Sequence, residues 1–375
     1  MTTKVLNLLC ESSDAATSIS TVHTQIHIAL NERGFHCDTR YLCNVSGTTG
    51  QGFLERSIPL KFLRRPRRHP IVMRRLKRAL LNHVENSKPD LIIVDGLYSA
   101  ECLLSLKDIE IPVIMLVHGR THFFRKHLRH LYNAANKGFP DHWHLVFVSQ
   151  EAQHYWQKNH PDISPSQSVI ENCIHSKKIK AGVLDGHDAR ATLKIPSEQF
   201  TIGAIARLSR EKNLAHLLKA FAKLNCSDTR LLLIGEGKER DALETLAREL
   251  NIEQQCTFSG FKNQAYQYLS AFDLFVMTST TEGSPIALLE AMAAGCDVLC
   301  SDIQTLRDIG LPNECYFDLD EGEALAVKLA QKISEKESPQ REKRISAIDD
   351  IVNIRFSPER FNENYQSLIR QLTSL

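Results

Sequence analysis

Residues 200–224 read FTIGAIARLSREKNLAHLLKAFAKL, and the hydrophobic period changes once along them. From Phe200 to Ala206 the run is almost wholly apolar, as in a strand buried on both faces. After a short basic connection, Leu214, Leu217, Leu218 and Phe221 recur at helical spacing, with Asn213 where a cap belongs. A doubly buried strand feeding an amphipathic helix is half of a parallel β–α–β unit.

The same pattern repeats on both sides of this stretch. Before it come KVLNLLC, DLIIVDG, PVIMLVHG and HLVFVS; after it come RLLLIGEG, CTFSG, DLFVMTS and DVLCSD. Each run is short, rich in Val, Ile, Leu and Phe, and closed by a polar or small residue. The 375 residues exceed what one core usually organises. The sequence therefore predicts an α/β chain of two Rossmann-like, doubly wound parallel-sheet domains, with a cleft at the carboxyl ends of their strands. The domains are expected at 1–175 and 176–355, joined by a polar stretch with Gly182, Gly186 and Pro196. Residues 356–375 read as a helix with Ser357 as cap and Pro358 in its first turn, its packing partner left open.

Composition excludes several other classes. Hydrophobic residues are 42% and charged residues 24%, as in a soluble globular protein. No apolar run reaches the length of a membrane span, so the expected location is the cytoplasm. The ten cysteines stand singly, with no C-x-x-C pair and no zinc spacing, and read as reduced, buried thiols. Through His175 there are 21 basic against 15 acidic residues, and after it 25 against 29, so the halves differ in sign.

The chemistry begins at TEGSPIALLEAMAAG, residues 281–295. Ser284 as N-cap and Pro285 at the first helical position predict a helix from Pro285 to Ala294, stopping at Gly295. Glu282 lies before that helix. Glu290 lies about 8 Å along it, at 1.5 Å per residue. A helix amino end attracts anions, so two acids flanking it suit a ligand with hydroxyls on both sides of a phosphate. Glu282 alone also reads as an ordinary surface glutamate. Glu290 fits that bland reading less well, because Ile286, Ala287, Leu288, Leu289, Ala291 and Met292 surround it. In the connection after Ala206, Arg207 and Lys212 suit a leaving diphosphate, although a solvated basic loop has the same composition. Gly235 and Gly237 in LIGEGKERDAL read as a plain strand-to-helix turn.

Taken together, Glu282-x7-Glu290, GAIARLSREKN, LLLIGEGKERDAL, FSGF and AMAAGCDVLCSD resemble the retaining GT-B glycosyltransferases of family 4 (glycosyl transferases group 1). The resemblance is strong over residues 200–308 and fainter in KPDLIIVDG, PVIMLVHG, VFVSQEAQ and VIENCI. It implies transfer of a sugar from a nucleotide diphosphate donor, of UDP or GDP type, with retention and without metal or other cofactor. By that resemblance Glu290 holds the donor ribose, Glu282 the sugar hydroxyls, and Arg207 with Lys212 the diphosphate. Gly203, Gly283, Ser284, Pro285 and Ile286 line the donor, and His118 stands near the transferred sugar. The amino-terminal domain holds the acceptor, a glycan or lipid-linked glycan such as a lipopolysaccharide precursor. A nucleotide-sugar epimerase or hydrolase of the same fold, or a binding protein without transfer, are the alternatives.

The first half carries further signals. His118 with His122, or His142 with His144, invite a zinc reading, but no recognised ligand spacing supports it. Asp318-Leu319-Asp320 reads as a cap for a helix starting near Glu321. Lys61 to Arg78 holds nine basic residues and no acid, among them Arg64, Arg65, Arg67, Arg68, Arg74 and Arg75. Interleaved with Phe62, Leu63, Ile71, Val72, Met73 and Leu76, these suit an anionic membrane surface or an acidic acceptor; nucleic acid ranks last. Where relatives place a glycine pair after the first strand, this chain has CESSDAATSIST, so Ser12 and Ser13 are candidate acceptor contacts. Asn172-Cys173 stands where relatives often have Asn-Gly.

Overall fold

The computed structural model of the chain describes residues 2–11, 18–31, 34–43, 52–54, 70–95, 97–106, 109–119, 131, 133–134, 139–160 and 166–374. It divides into two compact units, Met1–Cys173 with Pro358–Leu375, and Ile174–Ser357. The division falls two residues away from the sequence expectation at each end. A hydrogen bond from Ile174 N to Phe356 O, 2.8 Å long, ties the entering and leaving segments of the second unit together.

Among the described residues the first unit holds a parallel sheet of seven strands. These are β1 (Lys4–Glu11), β2 (His36–Cys43), β3 (Gly52–Leu54), β4 (Leu91–Asp95), β5 (Val113–Val117), β6 (Trp143–Phe147) and β7 (Ser166–Val169). Their order is β3-β2-β1-β4-β5-β6-β7. Alternate residues feed two cores, as the pleat requires. Leu6, Leu8, Ile92, Val94, Met115 and Phe147 face Leu76, Leu80 and Val84 of the helix Pro70–Ser87. On the other face Val5, Ile93, Ile114 and Leu116 meet Val22, Ile26 and Leu30 of the helix Ser18–Asn31. The same core receives Phe361, Tyr365, Leu368 and Ile369, so the last helix, Pro358–Thr373, packs on the first unit.

The second unit repeats the plan with β8 (Phe200–Ile205), β9 (Thr229–Ile234), β10 (Cys256–Phe258), β11 (Leu274–Met277), β12 (Asp297–Ser301) and β13 (Tyr316–Phe317). These strands are ordered β10-β9-β8-β11-β12-β13 and are all parallel. The stripe read from the sequence, Leu214, Leu217, Leu218 and Phe221, is buried against Ile202, Ala204, Leu231 and Val276. In each sheet the strand order reverses once, between β1 and β4 and between β8 and β11. The carboxyl ends of those strand pairs are the crevices where open α/β sheets receive ligands.

Three local readings change. The helix of the acidic stretch runs from Ile286 to Ala293 with Pro285, not Ser284, at its cap, and no side chain caps it. Pro285 keeps ψ at 66°, outside the helical well, which delays the first turn by one residue. Asp318 and Asp320 do not cap a helix near Glu321: Asp318 Oδ1 accepts from Asp320 N at 2.8 Å in a local turn, and the helix begins at Ala324. Leu76 is core rather than surface.

Candidate functional site

In the second unit the site grows from the loops leaving β8, β11 and β12. A short 3-10 turn, Arg210–Lys212, ends at Asn213 in the left-handed region (φ 50°) and directs the chain into the helix Leu214–Leu224. Thr278 Oγ1, just after β11, donates to Lys212 O at 2.8 Å, and Thr280 N donates to Glu211 O at 2.9 Å. These bonds stitch the β8 and β11 loops across the point where strand order reverses. Beneath them Gly235 and Gly237 let the β9 loop touch the β8 loop: an added Cβ would stand 1.8 Å from Ala206 O and 2.1 Å from Leu208 O.

Across this crevice Lys212 Nζ donates to Glu282 Oε1 at 2.6 Å. The same oxygen accepts from Ser279 Oγ at 2.6 Å. Ser301 Oγ, at the end of β12, donates to Ser279 O, and Thr305 Oγ1 donates to Glu282 O. Glu282 is thus a buried carboxylate with its own cation and hydroxyl, not the surface glutamate of the bland reading. Gly283 and Ser284 follow it, partly exposed, before buried Pro285 and the helix with Ile286.

Glu290 lies one turn into that helix, between buried Leu289 and Ala291. No side chain among the described residues pairs with its carboxyl, and burial pushes its pKa up to about 7. An acceptor held close to its titration point without a protein donor is suited to donors that a ligand brings, such as ribose hydroxyls.

Arg207 stands two residues past the crevice end of β8. Its side chain is 73% exposed, and its one ion pair among the described residues, to Glu211, is loose at 3.9 Å. The guanidinium is therefore at liberty to turn toward an anion. Gly203 is different. It sits inside β8 between Leu232 and Phe275, and a Cβ there would stand 2.4 Å from the Phe272 ring. Its smallness answers to packing against that ring.

In the first unit His118 follows β5 and its Nε2 lies 2.9 Å from Asp95 Oδ2 at the end of β4. Burial alone would lower the imidazole pKa, but the charge and hydrogen bond of Asp95 outweigh it and raise the value. Asp95 was missed in the sequence; its signal was an acid closing one apolar strand while a histidine closes another. His144 is no metal ligand candidate, since Nδ1 and Nε2 lie 2.6 Å from Ser166 Oγ and 2.9 Å from Ser168 Oγ on β7. Among the described residues no three His, Cys, Asp or Glu side chains converge as a metal site. His122, Ser12, Ser13, Arg64, Arg65, Arg67 and Arg68 lie outside the described residues. Arg74 and Arg75 are exposed on the helix Pro70–Ser87, beside exposed Ile71 and Arg78. No described helix is long and apolar enough to cross a membrane.

Two parallel, doubly wound units in one chain are the fold of the GT-B class, and solved proteins share it. The Anabaena Alr3699/HepE protein, solved with UDP and glucose, superposes with a TM-score of 0.76 at 20% identity over all of both chains. Residues 19–178 match the family profile described as Glycosyltransferase Family 4, and residues 186–348 that described as Glycosyl transferases group 1. The chain thus carries these two glycosyltransferase domains in tandem. It is 37% identical over 141 residues to the N-acetylgalactosamine-N,N'-diacetylbacillosaminyl-diphospho-undecaprenol 4-alpha-N-acetylgalactosaminyltransferase of Campylobacter jejuni, covering 37% of this chain and 36% of that protein. It is 29% identical over 187 residues to the lipopolysaccharide core biosynthesis glycosyltransferase LpsD of Rhizobium meliloti, covering 48% and 52%. The matches thus span about a third to a half of these curated relatives.

Proposed function

We propose that this protein is a retaining glycosyltransferase that moves a hexose-type sugar from a nucleotide diphosphate donor to a lipid-linked or lipopolysaccharide-type glycan. The observation that carries the reading is the stitched crevice of the second unit, where Lys212, Glu282 and an uncapped helix end meet at the strand-order reversal. The positive amino end of the helix that starts at Ile286, with Arg207 and Lys212, holds the diphosphate and stabilises the charge that develops on it as the glycosyl bond breaks. Glu282 orients sugar hydroxyls, and Glu290 accepts from the ribose. His118 is the sugar-side residue of the first unit. UDP is the preferred nucleotide, because a solved protein of this fold holds UDP and glucose. The lipid-linked acceptor draws on the diphospho-undecaprenol named for the Campylobacter jejuni relative. Exposed Ile71, Arg74, Arg75 and Arg78, spaced as one helical face, give such an enzyme a peripheral hold on an anionic membrane.

The test is a panel of UDP- and GDP-sugars screened for thermal stabilisation of the protein. Stabilisation by one nucleotide sugar and lost on Glu290→Ala is expected. No response to any nucleotide sugar or free nucleotide defeats the reading. Retention is read from the anomeric configuration of the product by NMR. Equal sedimentation with neutral and anionic vesicles removes the membrane contact.

A further inference from the structure

The pairing of Asp95 with His118 has a geometric origin in the first sheet. β4 and β5 are in register with Asp95 opposite Leu116, and His118 lies two residues beyond Leu116. Residues two apart in an extended chain share a face. The imidazole therefore returns to the side where the Asp95 carboxylate ends its strand, and the 2.9 Å contact engages Nε2. Asp95 is almost wholly buried, whereas the His118 ring keeps 23% of its surface. The strand end fixes the acid, and the acid fixes the ring. Among the described residues Nδ1 has no hydrogen-bond partner, so it is the ring nitrogen left for a ligand.

What Nδ1 offers depends on the proton count. With Nε2–H donating to Asp95, a neutral ring presents Nδ1 as an acceptor, and an imidazolium presents Nδ1–H as a donor. Asp95 is the charged group among the described residues that acts on the ring. From the last helix Tyr365 also faces Asp95, but burial and that same carboxylate push its phenol well up, so it stays neutral. Cys173, in the same core, has its thiol pushed up to about 12 and is neutral too.

We propose that Asp95 is a positioning residue that holds the His118 ring through Nε2 and favours its protonated form, so that Nδ1–H serves as a hydrogen-bond donor to a hydroxyl oxygen of a sugar at the carboxyl end of the first sheet. This rests on the reading of His118 as the sugar-side residue of a transferase. Asp95 does not touch the sugar. It sets which proton state of His118 does.

The experiment is a histidine-detected NMR titration of the full chain, with the His118 signal assigned by its loss in His118→Gln. In the wild type His118 is expected to titrate above 6.5, and in Asp95→Asn to fall by about one unit or more. In the same variant the alkaline limb of kcat/KM should move to lower pH by a matching amount, and Asp95→Glu should restore it in part. A His118 that titrates at the same pH in wild type and Asp95→Asn overturns the proposal. Where Asp95→Asn does not fold, a wild-type His118 titrating at or below 6.5 overturns it equally. Normal turnover by His118→Gln would instead defeat the sugar-side reading, leaving the titration result to stand alone.

Discussion

Lys212 Nζ and Glu282 Oε1 lie 2.6 Å apart although seventy residues separate them in the chain. The pair exists because β8 and β11 are neighbours in the sheet, and each residue leaves the crevice end of one of them. Removing one partner of a well-buried pair costs about 3–5 kcal/mol, because the other charge stays desolvated. Lys212 keeps some contact with water, so Lys212→Met is expected near the lower end of that range. The double variant Lys212→Met/Glu282→Gln should recover part of the loss. Urea midpoints for the cycle check this; strictly additive effects would show that the two residues do not act as a pair.

Glu290 makes a pH-dependent prediction with a definite sign. Its pKa is raised from 4.5 to about 7 by burial, so the folded chain holds a proton that the unfolded chain gives up. Below pH 4.5 both states are protonated and the residue is neutral toward stability. Between 4.5 and about 7 a penalty accumulates, and above 7 it is constant. Glu290→Gln should therefore raise Tm progressively from pH 5 to 7 and leave it unchanged at pH 4. If the ribose takes the ionised form, donor binding near pH 7 should also release protons, seen by calorimetry in buffers of different ionisation enthalpy. A pH-independent Tm difference refutes the burial argument.

Gly203 tests packing against ligand approach. Gly203→Ala puts a methyl group 2.4 Å from the Phe272 ring inside a filled core, and overpacking of this kind costs about 1–3 kcal/mol. Combining it with Phe272→Leu should return most of that stability. Thermal melts of both variants, and donor affinity measured where they fold, separate the roles. A folded, fully stable Gly203→Ala with weakened donor binding would favour the ligand role over packing.

The parts legible in the sequence are those that one segment decides by itself. Phe200–Ile205 and Leu214–Leu224 were readable because strand and helix periods are local, and the burial of Glu290 followed from its apolar neighbours. The Lys212–Glu282 and Asp95–His118 pairs were not, because each depends on which strands lie side by side, and no local period carries sheet order. The partner of the last helix was hidden for the same reason: Phe361, Tyr365, Leu368 and Ile369 declare an apolar stripe but not the core that receives it. Pro285 against Ser284 at the cap turned on one backbone angle, which residue type constrains only loosely.

Far from the crevice, at the entry to β12, Asp297 Oδ2 accepts from Arg344 Nη2 at 2.6 Å, and Oδ1 accepts from Arg344 Nε at 2.8 Å and Lys332 Nζ at 3.0 Å. All three side chains are buried, and together they tie the helices Ala324–Ser334 and Pro339–Arg355 to the sheet. Arg344 also pairs with Glu335 at 2.9 Å, so two cations balance two acids. Arg344→Leu strips Asp297 of its two-pronged partner and is expected to cost about 3–5 kcal/mol. Lys332→Met leaves that fork intact and should cost less. Burial alone would raise the Asp297 pKa, yet the Arg344 hydrogen bonds and the Lys332 charge more than offset it and lower the value below 3.8. Its contribution is therefore present above that pH and lost as pH falls through the folded value. Arg344→Leu should accordingly unfold at higher pH than the wild type in an acid titration followed by circular dichroism, while Lys332→Met moves less. The reverse ranking would show that Lys332, not the guanidinium, is what holds Asp297 ionised.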